Sequence, residues 1–174
     1  RCFDSDDIQN VNSSVDPIRD LEIIETEMML ADLESIQKRL DKKNRKNINE
    51  KILDILKIAL DCINNNKNLS IIIEEFDAKT LNQTGLLSIK PKIYVCNVDE
   101  GSVVNGNAYV EKIVEMASNE GSKTLVIGAA IEADIAEFED PEEREIFLSD
   151  LGLEEPGVAK LIRTAYELLN LQTY

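Results

Sequence analysis

A chain of 174 residues with 34 acidic and 19 basic side chains carries a formal charge of −15, enough length for one domain or one domain with an insertion, and a balance that disfavours bulk nucleic-acid binding. It has no histidine, which excludes a Ser-His-Asp or Cys-His centre within it. Its three cysteines, Cys2, Cys62 and Cys96, lack Cys-x-x-Cys spacing, which argues against a disulfide partner or a zinc site and suits a reducing cytoplasm.

The charge is uneven. Residues 38–67 hold nine Lys and Arg against four acids, while residues 132–155 hold eleven acids and one base, Arg144. A local basic contact site is therefore compatible with the net sign. No apolar run approaches the roughly 18 residues of a membrane span, and no signal peptide is visible. The first residue is Arg rather than Met, so the chain is expected to be processed or a piece of something longer.

Arg1-Cys2-Phe3 reads as the end of a strand, running into an acidic loop from Asp4 to Asp7. Asp16-Pro17 is a helix start, with Asp16 as the cap and Pro17 at the first helical position. Apolar residues at Leu21, Ile24, Met28, Met29, Leu33, Ile36 and Leu40 recur every three or four positions, which predicts one long amphipathic helix. A polar tract, Lys42–Asn49, follows. Ile48, Ile52, Ile55, Ala59 and Cys62 then step in a seven-residue pattern, and Asn64-Asn65-Asn66 ends that helix. Two such helices across a polar turn predict an antiparallel, coiled-coil-like hairpin whose apolar stripes bury each other. Lys38, Arg39, Lys42, Lys43, Arg45 and Lys46 cluster near the turn. They form either a solvated tip or a patch contacting the phosphates of RNA, and the absence of aromatics among them gives no sign of base stacking.

The apolar run Ile71-Ile72-Ile73 is ambiguous, and Asp77 is placed to cap a short helix reaching about Ser88. After Pro91 the pattern alternates: strand 92–96, helix 108–119 closed by Gly121, strand 124–128, and a loop Ala129-Ala130-Ile131-Glu132. A helix opened by the capping box Asp140-Pro141-Glu142-Glu143 and closed at Gly152 comes next, then a last helix over 157–169. Continuous apolar strands separated by helices predict an α/β fold with a parallel sheet covered on both faces. Two strands and a fragment make such a sheet incomplete, with the helical hairpin inserted into it. The expected division is 1–15 as the end of a strand and its loop, 16–90 as the helical insertion, and 91–174 as the later half of the α/β domain.

Ligands of open α/β sheets bind beyond the carboxyl ends of the strands. The two strand ends here are Asn97-Val98-Asp99-Glu100 and Gly128-Ala129-Ala130. An asparagine at a strand tip can present its amide to a purine edge, small residues let backbone approach the base, and Glu100 can accept from an amine or a ribose hydroxyl. No phosphate-cradling G-x-x-x-x-G-K-[ST] occurs in the sequence. An isolated N-x-x-E is unspecific, and a soluble helical protein carrying it by accident is the bland alternative.

Longer stretches are more specific. RCFDSDDIQNV, VDPIRDLEIIETEMMLADLESIQKRL, NVDE, EADIAEFEDPEEREIFLSDLGLEEPG and LLNLQTY occur in order. Together they make the chain resemble an internal segment of the Obg-like ATPase (YchF) family. RCFDSDDIQNV resembles the segment after switch II, and NVDE stands where related GTPases carry N-K-x-D. The resemblance implies part of a P-loop NTPase sheet with a helical insertion, ATP preferred over GTP, magnesium dependence, ribosome association and a cytoplasmic location. It implies that Asn97 and Val98 contact the adenine, that Glu100 shapes the loop, and that Ala129 with Ala130 closes the other side. Gly128 departs from the Ser or Cys common in the family. The P-loop, the switch regions and the magnesium ligands of the family fall before Arg1, and its TGS domain falls after the last residue. The chain by itself is therefore expected to hold no catalytic residue or metal ligand, to be inactive, and to bind ATP weakly. The alternative function is a non-catalytic helical module that contacts RNA or ribosomal protein through the basic tip.

Overall fold

The computed structural model describes all residues except 7, 9–11, 13, 42–47, 66, 68, 173 and 174. Two compact units result: Arg1–Arg19 with Pro91–Tyr174, and Asp20–Lys90.

In the first unit, β1 (Ile93–Asn97) and β2 (Lys123–Ile127) pair in parallel, with Ile93 opposite Lys123 and Asn97 opposite Ile127. The Cys2 N–H donates to the Asn97 carbonyl at 2.8 Å, so the N-terminal residues reach the carboxyl end of β1. Tyr94, Cys96 and Val98 are buried, and α5 (Ala108–Glu120), which packs on both strands, buries Val110, Ile113 and Ala117. The connection from β1 to β2 through α5 is the crossover that parallel strands require. Asn107 caps α5 by accepting from the N–H groups of Tyr109 and Val110 at 3.0 and 3.1 Å. Gly121, at φ 69°, ends α5 in the left-handed conformation that its position after the last helical turn predicted.

Beyond β2 the sequence reading needs correcting. Residues 129–132 do not form a loop but the first turn of α6 (Ala129–Glu137), which buries Ile131 and Ile135. The helix has only two apolar anchors four apart and a glycine in front, too little periodicity to stand out from the sequence. α7 (Pro141–Asp150) starts at Asp140, but the box is one-sided: Asp140 accepts from the Glu142 N–H at 2.9 Å, and Glu143 makes no return bond among the described residues. α8 (Gly157–Leu168) packs on β2. The expectation of a sheet covered on both faces holds only in part. Val95, mid-strand in β1, is 45% exposed, whereas α8 packs on the neighbouring strand β2.

The second unit holds most of α1 (Pro17–Leu40), with α2 (Glu50–Asn64), α3 (Ser70–Glu75) and α4 (Ala78–Thr84). Asn49 caps α2 by accepting from the Lys51 N–H at 2.9 Å, and Asp77 caps α4 by accepting from Thr80 N–H, also at 2.9 Å. α4 stops at Thr84, short of the predicted Ser88, where Gly85 turns left-handed at φ 69°. One core joins Ile36 of α1, Ile55, Leu56 and Ala59 of α2, Ile72 of α3, and Leu86 and Ile89 of the following loop. The α1 and α2 stripes therefore do not simply bury each other, since α3, α4 and the 85–90 loop share the work. Buried Asp32 of α1 accepts from the N–H groups of Leu87 and Ser88, both at 2.8 Å, and Arg39 donates to the Thr84 carbonyl. These bonds satisfy loop backbone that would otherwise be buried without partners.

Candidate base-binding site

The parallel register brings the carboxyl ends of β1 and β2 level. The ladder continues one step past the strands, where the Val98 N–H donates to the Ile127 carbonyl at 2.9 Å. Immediately above it the Asn97 side-chain carbonyl accepts from the Ala129 N–H at 2.9 Å. Gly128 has no side chain with which to cap α6, so Asn97 supplies that cap from the adjacent strand. This bond fixes the Asn97 amide plane and leaves its NH2 group with no partner among the described residues.

The other predicted residues fall around this bond. Ala129 and Ala130 are exposed on the first turn of α6. Glu100 is exposed and opens a 3-10 turn, Glu100–Ser102, with its carboxylate unpartnered among the described residues. Val98 is only 3% exposed, so its side chain belongs to the interior and what it offers a ligand is main chain. The Cys96 thiol, on the strand just before, is pushed up by its hydrogen bond to Cys2 and by burial, so it stays neutral.

Two residues of this end went unnoticed in the sequence. Asn107 donates its amide NH2 to the Cys2 carbonyl at 2.7 Å, besides capping α5, and so ties the N-terminal residues to the crossover helix. Glu132 accepts from the N–H groups of Gly157 and Val158 at 2.6 and 3.1 Å, which joins α6 to the start of α8. In the sequence it was one acid in an expected loop, and its partners lie 25 and 26 residues further along.

Asp99 and Glu100, both exposed, put acidic side chains after the β1 end, which suits donors on a base or a sugar, and the Cys2–Asn97 bond brings the basic Arg1 to the same end of the strand. Of the basic cluster, Lys38 is exposed and Arg39 is half-buried on Thr84, whereas Lys42, Lys43, Arg45 and Lys46 lie outside the described residues.

The chain is 41% identical over its whole length to the ribosome-binding ATPase YchF of Haemophilus ducreyi, covering 49% of that protein. It is 39% identical to the Bacillus subtilis protein of the same name, again over all of this chain and 50% of that one. The solved YchF GTPase of Schizosaccharomyces pombe superposes on 97% of this chain and 48% of its own, with a TM-score of 0.75 and 26% identity. The chain belongs to the YchF family of Obg-like proteins. It spans about half the length of the curated relatives it matches. No family model matches it. The Asn97–Ala129 bond lies where the ends of β1 and β2 meet.

Proposed function

We propose that this chain is the base-reading and helical portion of a cytoplasmic, ribosome-associated YchF-type ATPase, with ATP preferred over GTP. The observation that carries the reading is the Asn97–Ala129 hydrogen bond at 2.9 Å. It occupies the Ala129 N–H, so that donor is not open to the O6 of a guanine, and it leaves Asn97 as a fixed donor through its NH2. A purine N7 accepts from such a donor, and the exocyclic amine of adenine suits the Glu100 carboxylate or the Val98 carbonyl. Guanine would leave its O6 facing acceptors, a mismatch that costs more than a lost contact. Ala129 and Ala130 leave room for the ring.

Magnesium and the phosphates are the business of other residues in such a protein. Among the described residues no group of three metal-binding side chains gathers. The relatives' name supports a ribosomal partner, and the helical unit, expected as an antiparallel insertion of α1 and α2, is the arm proposed to make that contact. The non-catalytic reading, in which the basic tip at Lys38, Arg39, Lys42, Lys43, Arg45 and Lys46 touches RNA or ribosomal protein, then describes one part of the same molecule.

The decisive experiment is Asn97→Ala in the full-length protein. ATP affinity falls about tenfold, the cost of one charge-free but oriented hydrogen bond with its neighbour disturbed, and the preference for ATP over GTP narrows. Unchanged affinities for both nucleotides would overturn the reading.

A further inference from the structure

We infer that Glu132 is a positioning residue of the base-binding loop, an inference that rests on the reading just given. The first turn of α6 carries Ala129 and Ala130 but is short of intrinsic support. Gly128 contributes no side-chain cap, and α6 is only nine residues long. Two tethers hold that turn. One is Asn97, bonded to the Ala129 N–H. The other is Glu132, whose two carboxylate oxygens take the N–H groups of Gly157 and Val158. Those amides open α8, where Pro156 supplies no side-chain cap, so the carboxylate meets orphan donors at the positive end of a helix.

The second tether has a firm footing. α8 packs on β2, and Gly157 comes so close that an added Cβ would lie 3.0 Å from Cγ1 of Ile127 and 2.9 Å from Oε1 of Glu132. Ile127 is the residue paired with Asn97. Glu132 thus refers the α6 turn back to the same strand end that aims Asn97. Buried Ile131 seats the turn, and the two tethers set the direction of its Ala129–Ala130 backbone relative to the Asn97 amide. A base clamped between these groups needs that direction held.

The test separates aiming from mere stability. Affinities for ATP and for inorganic tripolyphosphate, which has no base, are measured on the full-length protein, its Glu132→Ala and Glu132→Gln variants, and Asn97→Ala. Glu132→Ala is expected to weaken ATP about tenfold and leave tripolyphosphate unchanged. Glu132→Gln, which keeps one acceptor oxygen, is expected to fall between it and the native protein, and it carries the test if the alanine variant does not fold. A parallel loss of ATP and tripolyphosphate would reduce Glu132 to a structural cap and overturn the inference. Unchanged ATP affinity in both Glu132 variants would also overturn it. Asn97→Ala tells the two failures apart. If it weakens ATP while the Glu132 variants do not, only the positioning role falls; if it too leaves ATP unchanged, the base site itself is wrong.

Discussion

Asn97 and Asn107 have the same side chain and opposite uses. Asn97 spends its carbonyl on Ala129 and keeps its NH2 for a ligand, whereas Asn107 spends both ends on the fold. Asn107→Ala removes a double N-cap and the bond to the Cys2 carbonyl. The expected loss is about 1–2 kcal/mol, the upper part of the range for a lost cap, measured as a shift in the urea midpoint with unchanged slope. A loss below a few tenths of that scale would show the cap replaced by water. Asn97 was legible because it closes an apolar run at a strand end, a place with chemical meaning in α/β sheets. Asn107 stands just before the predicted helix 108–119 without any sign of its second partner, and Glu132 was visible only as one acid among many. The Asn107 cap is local, but its bond to Cys2 and the bonds of Glu132 reach partners 105 and 25 residues away, which no local pattern encodes.

At the scale of elements, capping chemistry was the most readable signal. Asp16-Pro17, Asp77, Asp140 and Gly121 each mark a boundary that the structure places within a residue or two, since caps act locally. What packs against what was less readable. The second-helix stripe of Ile48, Ile52, Ile55, Ala59 and Cys62 was expected to face α1, but the core around Ile55 and Ala59 also takes Leu56 of α2, Ile72 of α3, and Leu86 and Ile89 of the loop. A helical stripe states that a face is buried, not by which neighbour. Leu56 is fully buried among these residues. Leu56→Ala should therefore cost roughly 2–5 kcal/mol, the usual range for truncating a core leucine. Because the cluster includes the loop clamped by Asp32, the amides of Leu87 and Ser88 should lose hydrogen-exchange protection in that variant. Protection unchanged at those two amides would mean that the loop is held by Asp32 alone.

For the whole molecule the argument returns to charge and to what half of a nucleotide site can do. The strand-end groups offer the Asn97 amide, backbone and the exposed carboxylates of Asp99 and Glu100, while that of Glu132 is taken by the start of α8. At a net charge of −15 the long-range field opposes a triphosphate. A base held by two or three neutral hydrogen bonds and some ring contact gains only a few kcal/mol, most of it offset by the lost freedom of the ligand. The 174-residue chain should therefore bind ATP no more tightly than about millimolar, near 4 kcal/mol, whether or not magnesium is present, and adenosine should bind at least as well as ATP. Titration calorimetry on the isolated chain checks both statements, once its circular dichroism and thermal transition have shown that it is folded. Tighter, micromolar binding of ATP than of adenosine would place a phosphate-gripping group within these residues and would undo the assignment of this end of the sheet to the base alone.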